Sequence, residues 1–511
     1  MDLLSTGNAE RIEIRALQIG GALFLLLLWT FLGPESLLNS DDVIYAQMAR
    51  ESLESGQFLE HSWMGVTLFE KPPLLFWLLQ LSGSLFGFAD AAMRLPAAIG
   101  ATVTVVYTYK LTRLLTQREG ETHWHWPALS CLILLGSLTF TQMGGRVMTD
   151  TLLAAAVVAS ATYALRVVRE EGRAPIVLLG LSAGLGFMAK SFALGPAMLG
   201  IVLFLLWQKR VRALILAGLV GLLVALPWHL FMTLRHGSEF WDVTLGYHVL
   251  GRAQGIGVAQ EDASFYLTEL FGLDPLVSTL FLAGFVAAFF VAKHRRDPNA
   301  ALVLAMAALG LLVIHISATK LLHYVVPTLP LLAVATAYAA SALSKKTVVV
   351  PLMVLFLLGS VLLSVTSEGH PSSRPELKRL AQRHITEAPP DTRVICVNEY
   401  APSLFYYGEK RGEIITDSER FYAIQQSIDM MRRSGVVHLA SKATLRELLS
   451  EKRPMIIVAP HIAFSDPLQE ARANRRSRLL LGWLHHFRSA GRSFELRREE
   501  DHMVAWIPGA P

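Results

Sequence analysis

Apolar residues in this chain do not alternate with polar ones at the spacing of a soluble fold. They come in unbroken runs of 15 to 20, recurring from Leu17 to Val365. The runs fall at roughly 17–33, 92–112, 127–143, 151–168, 175–189, 192–207, 213–232, 275–292, 300–317, 324–341 and 347–366. In lipid only helices and closed barrels satisfy their own backbone, and these runs are too long and continuous for barrel strands. The pattern therefore predicts a polytopic α-helical membrane protein of about eleven spans. Beyond about Glu368 the pattern changes: short β-like runs at Arg393–Val397, Met455–Val458 and Met503–Ile507 are separated by helical patterns. That reads as a soluble α/β domain. The division is a membrane domain over 1–366, with an outer loop of surface helices at 34–91, and a C-terminal domain over 367–511.

One apolar segment, Lys71 to Phe86, is ambiguous, and charge decides it. If it does not cross, the N-terminus and the loops at 110–118, 166–173, 209–212, 293–296 and 345–346 share one side and hold sixteen Lys and Arg. The opposite loops hold about half as many over more than twice the length. Positive residues mark the cytoplasmic side, so the segment is predicted to be a helix lying along or dipping into the outer surface. The C-terminal domain then leaves the membrane on that outer side.

Composition agrees with the pattern. Of 511 residues, 53% are hydrophobic and 17% charged, and mean hydropathy is +0.43. This excludes a soluble enzyme, a disordered chain and a collagen-like fibre. The net charge of +5 does not imply nucleic acid, since the basic residues sit in short loops or the last third. Cys131 lies inside an apolar run and Cys396 far beyond the last, so no disulfide framework is expected. The first run ends in Phe31-Leu32-Gly33-Pro34-Glu35, unlike a signal-peptide cleavage site, and is read as a retained span.

Candidate chemistry begins at Ser40-Asp41-Asp42-Val43-Ile44-Tyr45. Two acids in the first turn complement a helix dipole, the plain reading; the functional one is an ionised general base at the membrane surface. Phe69-Glu70-Lys71-Pro72-Pro73 places an acid and a base at the start of the surface helix, at the depth of a lipid phosphate; alone it is a surface ion pair of little worth. Arg146 to Asp150, Lys190-Ser191, His248 to Arg252 and Lys320 to Pro327 add charges at span edges. Singly these are snorkelling or anchoring side chains. Gathered on one side, they suit an anionic lipid substrate. The stretch from Arg472 to Arg488 alternates basic and apolar at helical spacing; it fits either a membrane face or a helix packed on the α/β domain.

Together these residues resemble the GT-C glycosyltransferases, in particular the lipid A aminoarabinose transferases and the protein O-mannosyltransferases. The likeness runs through Asp41-Asp42, Tyr45-Ala46, Ala49-Arg50, Glu54-Ser55-Gly56, Gly65 and Phe69 to Leu75. It continues through Arg94-Leu95-Pro96, Arg146 to Asp150, Lys190, Pro227-Trp228, His248 with Arg252, and Tyr324 with Pro327 and Pro330. A further match is Tyr400 with Pro402 to Tyr407. The resemblance implies inverting transfer of a sugar from a polyprenyl (undecaprenyl) phosphate to a lipid A-like, glycan or protein acceptor. The place implied is the outer, periplasmic side of a bacterial inner membrane.

It also implies roles. Asp41 is the base or acceptor-positioning group and Asp150 a second acidic position. Lys71 and Arg252 bind phosphate, with Tyr324 beside it; Tyr45, Lys190 and Lys320 join the donor site. Glu70 and His248 match positions where a divalent metal is associated with the lipid A branch. Two departures from the pattern are Ile44, where an Arg is common, and Gln260-Glu261-Asp262 before Phe265-Tyr266. The alternative class is a transporter or flippase for a lipid-linked sugar, which moves its substrate without consuming it; charges confined to one face favour the transferase.

Overall fold

A computed structural model describes residue 32 and residues 36–117, 124–255, 261–343, 373–426, 433–460, 477–499 and 501–509. The chain opens with α1 (Asp41–Ser55) and the hairpin β1 (His61–Trp63) and β2 (Val66–Leu68). Helices follow: α2 (Leu74–Phe86), α3 (Asp90–Thr116), α4 (His125–Leu135), α5 (Leu138–Gly144), α6 (Asp150–Arg169), α7 (Ala174–Lys190), α8 (Gly195–Trp207) and α9 (Val211–His236). A π-helical segment, Asp242–Gly251, leads to α10 (Phe265–Leu273), α11 (Pro275–Arg295), α12 (Pro298–Ile316) and α13 (Leu329–Leu343). Then come α14 (Pro375–His384), β3 (Arg393–Val397), α15 (Pro402–Gly408), β4 (Gly412–Thr416), α16 (Glu419–Gln426) and β5 (Val437–Leu439). The last elements are α17 (Lys442–Ser450), β6 (Met455–Pro460), α18 (Arg478–Ser489), β7 (Glu495–Glu499) and β8 (His502–Ile507).

Contacts divide the chain into two units: Met1–Pro34 with Phe69–Glu368, and Glu35–Leu68 with Gly369–Pro511. In the first unit, six helices among the described residues are long and apolar enough to cross a membrane, or seven if the bent pair α4–α5 is one span. The stretch Ala174–Trp207 counts once in that number. It nevertheless reverses direction. Lys190 meets Asp150 at the start of α6, whereas Arg210 Nη2 donates to the Val168 carbonyl at its other end (3.1 Å). The chain thus returns along α6 between positions 190 and 210, turning at a 3-10 helix over Ser191–Leu194. The expected spans at 17–33 and 347–366 lie outside the described residues, Leu32 apart.

Small side chains let the helices approach. A Cβ on Gly180 would lie 2.5 Å from the Ala217 carbonyl, and one on Gly184 2.8 Å from that of Gly221. Glycine at these two positions is therefore what allows α7 and α9 to run side by side, the small-residue packing typical of bilayer helices. On its other flank α7 meets the alanine-rich α6, where the Ser160 and Ser182 hydroxyls bond at 2.9 Å.

Three elements depart from simple spans. The run read at 127–143 is broken into α4 and α5, bent by 77°. At the break, Ser137 Oγ accepts from Phe140 N and the Asp274 carboxylate accepts from Leu138 N (2.7 Å), meeting backbone groups the bend releases. The segment after Lys71 becomes α2, whose 13 residues extend about 20 Å, short of the roughly 30 Å hydrocarbon layer. The run read from 324 becomes regular helix only at Leu329, after a 3-10 turn over Leu322–Val325. That irregular stretch positions Tyr324.

The second unit has a six-stranded sheet in the order β5-β4-β3-β6-β8-β7. Strands β5, β4, β3 and β6 are parallel, and β8 joins β6 antiparallel. The strand patterns read at 393–397, 455–458 and 503–507 are its β3, β6 and β8. Helix α18 buries Leu480, Trp483, Leu484 and Phe487 in the core of this domain, so the basic-apolar periodicity there is that of a packed helix over its described part. Helix α1 and the hairpin also belong to this unit: Asn39 donates to the Tyr400 carbonyl (2.7 Å) and Arg50 to that of Tyr406 (2.8 Å). Cys131 and Cys396 are both free thiols.

Candidate active site

The first unit encloses a cavity of about 380 Å³ where the ends of α6 and α7, the π-helical segment and the Leu322–Val325 turn converge. Its charged wall comprises Glu70, Lys71, Asp150, Lys190 and Arg252, with His248 and Tyr324. The remainder is mainly apolar, including Leu153, Val157, Phe192, Met306, Val313 and Leu331. The lining thus combines groups that suit an anion with surface that suits a hydrocarbon.

Each charged side chain is held by a distinct local device. Pro72 and Pro73 fix the backbone that carries Glu70 and Lys71 into α2. The preceding carbonyl, of Phe69, accepts from Thr244 Oγ1 (3.1 Å), tying this segment to the π-helical turn that carries His248. The Phe69 ring packs on His236 and edge-on to Phe240. Asp150 opens α6 and Lys190 closes α7, and their side chains meet at 2.6 Å. The Lys190 ammonium also lies 5.1 Å from the centre of the Tyr324 ring. Arg252 Nη1 donates to the Tyr324 hydroxyl, and the Arg252 carbonyl accepts from Thr319 N (3.2 Å).

The electrostatics favour a bound anion. Lys190 neutralises Asp150 directly, leaving Lys71 and Arg252 with Glu70 as the other carboxylate on the wall. Burial, and then the charges of Lys71, Arg252 and Lys190, push His248 well below the usual imidazole range, so its ring is neutral at physiological pH. Burial likewise pushes His323, beside this cluster, down to about 3. Three buried atoms on the cavity wall have no partner among the described residues: Asp150 Oδ2, Ser191 Oγ and His248 Nε2. A buried polar group without a partner costs about 1–3 kcal/mol, so a ligand that satisfies these is favoured.

Of the residues singled out in the sequence, Glu70, Lys71, Asp150, Lys190, His248, Arg252 and Tyr324 are brought together on this wall. Lys320 is not on it: its ammonium is buried and donates to the Ser317 carbonyl (2.6 Å). Asp41 and Tyr45 belong to the second unit, both on α1, with Tyr45 buried. Ser191 and Thr244 are wall residues without an assigned role in the sequence motifs. Ser191 adjoins the singled-out Lys190, but nothing in a lone serine signals an inward hydroxyl; its left-handed backbone (φ 43°) emerges only from the turn.

The donor set does not fit a resident divalent metal. Glu70 and His248 share the wall with three fixed cations, and no group of three His, Cys, Asp or Glu side chains among the described residues is placed to hold an ion.

Residues 70–231 match the family model described as dolichyl-phosphate-mannose-protein mannosyltransferase. The chain is 28% identical over 340 residues to the undecaprenyl phosphate-alpha-4-amino-4-deoxy-L-arabinose arabinosyl transferase 1 of Sodalis glossinidius, covering 64% of this chain and 59% of that protein. To the corresponding transferase 1 of Pseudomonas fluorescens it is 29% identical over 342 residues, covering 63% and 58%. The matches therefore span about six-tenths of these relatives' length. Among solved structures, ArnT from Cupriavidus metallidurans bound to undecaprenyl phosphate superposes with a TM-score of 0.73 at 17% identity, covering 96% of this chain and 97% of that one. The oligosaccharyltransferase AglB from Archaeoglobus fulgidus superposes at 0.54 and 11% identity, covering 85% and 69%. The likeness read from the motifs thus holds: this is a membrane protein of the GT-C fold, similar in sequence to the undecaprenyl-phosphate aminoarabinose transferases and the dolichyl-phosphate-mannose protein mannosyltransferases.

Proposed function

We propose that this chain is an inverting glycosyltransferase that moves a sugar from a polyprenyl-phosphate carrier, of the undecaprenyl type, to an acceptor at the outer face of a bacterial inner membrane. The observation that carries the reading is one cavity whose lining joins Lys71, Lys190 and Arg252 to a mainly apolar remainder. A lipid phosphate presents an anion joined to a hydrocarbon, the same two chemistries.

In this reading Lys71, Arg252 and the Tyr324 hydroxyl hold the phosphate. The acceptor oxygen attacks the anomeric carbon from the opposite face, its bond to carbon forms as the carbon–oxygen bond to phosphate breaks, and the configuration inverts. The charge that develops on the leaving phosphate meets cations already in place, so little reorganisation is needed. Asp150 fixes Lys190 beside them. Asp41 is the proposed base for a hydroxyl acceptor, a role resting on its sequence motif; for an acceptor that is itself a phosphate it positions rather than deprotonates. Charge supports the sidedness: Arg169, Arg210 and Asp297 gather at the end of α6 opposite the cavity, and basic loops favour the cytoplasm. The domain over 367–511 is then periplasmic.

The test is transfer by the purified full chain in vesicles supplied with undecaprenyl phosphate-linked 4-amino-4-deoxy-L-arabinose or mannose and with lipid A as acceptor, with products read by mass spectrometry. Wild type should consume donor and release undecaprenyl phosphate; Asp41→Asn should not, while remaining folded. Donor that crosses the bilayer unconsumed would replace this reading with a flippase.

A further inference from the structure

The cavity wall carries two kinds of group, and a phosphate can answer only one of them. Lys71, Arg252 and the Tyr324 hydroxyl bear hydrogens and suit phosphate oxygens. Asp150 is the opposite case. Asp150 lines the cavity; its Oδ1 accepts from Lys190, and its Oδ2 is buried with no partner among the described residues. An ionised carboxylate accepts hydrogen bonds and cannot donate, so it repels a phosphate oxygen and requires a ligand that brings a hydrogen. Ser191 Oγ, one residue beyond Lys190, is likewise buried, unpartnered among the described residues and on the wall; unlike the carboxylate it can both donate and accept. The turn between α7 and α8 brings it there.

We propose that Asp150 Oδ2 and Ser191 Oγ form the glycosyl subsite of this cavity, binding a hydroxyl or amino group of the sugar that the lipid phosphate carries. The inference rests on the donor class proposed above and adds to it a division of labour: the cations read the phosphate and this acceptor-rich corner reads the ring. Ser191 is then a specificity residue, distinguishing charged carrier from spent carrier. After transfer the bare lipid phosphate brings no hydrogen to Asp150 Oδ2 and leaves it unsatisfied again, which favours replacement by a fresh, sugar-bearing donor.

The experiment compares binding of undecaprenyl phosphate with binding of the same lipid carrying 4-amino-4-deoxy-L-arabinose or mannose, using the full chain in lipid nanodiscs. Ser191→Ala removes the hydroxyl. Ser191→Gly removes it too and suits the left-handed backbone, guarding against a folding defect. The expected result is that wild type prefers one of the glycosylated lipids, and that both variants weaken its binding about tenfold while binding bare undecaprenyl phosphate as wild type does. Lys71→Ala should weaken both classes together. If the Ser191 variants lose both lipids equally, or neither, the glycosyl subsite is wrong though the donor class stands. If wild type binds bare and glycosylated lipids alike, the subsite is again wrong. If wild type binds none of the three lipids, the donor class itself fails and the subsite with it.

Discussion

Two charge clusters in this protein, one partly exposed on the C-terminal domain and one lining the cavity of the helical unit, use similar side chains to different ends. In the C-terminal domain, Arg393 on β3 makes four bonds to carboxylates: Nε and Nη2 bond both oxygens of Glu413, Nη2 also reaches Glu447 (2.9 Å), and Nη1 reaches Glu451 (3.3 Å). It joins β3, β4 and α17. In the helical unit, Asp150 and Lys190 are paired just as closely, yet three residues lining the same cavity, Asp150, Ser191 and His248, each carry a buried atom (Oδ2, Oγ and Nε2) unpartnered among the described residues. A closed cluster holds a fold together; one left open at a cavity waits for a ligand. Unpartnered buried atoms occur elsewhere among the described residues too, His502 Nδ1 and Ser403 Oγ in the C-terminal unit for example, so it is their gathering with charges around one cavity that separates the site from the scaffold here.

That contrast is most exposed to single substitutions. Lys71→Ala and Arg252→Ala should each lower transfer about a hundredfold or more, since each removes a fixed cation from the leaving phosphate, with thermal stability nearly unchanged. Unaltered turnover in both would make the cavity a second scaffold cluster. Tyr324→Phe removes the hydroxyl that accepts from Arg252; transfer should fall about tenfold, read as kcat with KM measured alongside. Arg393→Ala should do the reverse, keeping transfer within about twofold while destabilising the C-terminal domain by about 1–3 kcal/mol in denaturant melts. A large loss of turnover there would erase the distinction.

The smallest effect concerns pH. Buried imidazoles are held neutral in each unit: His323 beside the cavity and His61 in the hairpin both have their pKa pushed to about 3, by burial first. Unfolded, each titrates near 6.5. Their neutral forms therefore support the fold fully above about pH 6.5, and that support drains away as pH falls from there toward 3, by up to about 1.4 kcal/mol per pH unit for each group. Melting temperature measured from pH 7 to 4 should fall, and His323→Gln should flatten that slope. An unchanged slope would show that His323 is not held neutral.

How much of this was legible in the sequence follows from which signals are local. Span positions came from apolar runs, and the strands of the soluble domain from short β-like patterns, because both are read within one window. Most of the cationic wall was legible too, since Lys71, Lys190 and Arg252 stand out as charges at span edges. The 77° break at Gly136-Ser137 was not: the apolar run continues through it, and the group that meets the released Leu138 amide is Asp274, far along the chain. Ser191 was invisible for the same reason, its role arising from a turn and a cavity rather than from its neighbours. Lys320 illustrates the converse. It looked like a donor-binding cation, yet it is not among the cavity-lining residues and its buried ammonium donates to the Ser317 carbonyl three residues away.

The central claim is that Lys71 and Arg252 seize the phosphate of a polyprenyl carrier inside the helical unit. Its most direct test is the affinity of the purified full chain for undecaprenyl phosphate in lipid nanodiscs, compared with that of a Lys71→Ala/Arg252→Ala double variant. We expect saturable binding by wild type and a loss of at least about a hundredfold in the double variant, each charge-assisted contact supplying about 1.5–3 kcal/mol. Equal affinity of the two proteins would contradict it.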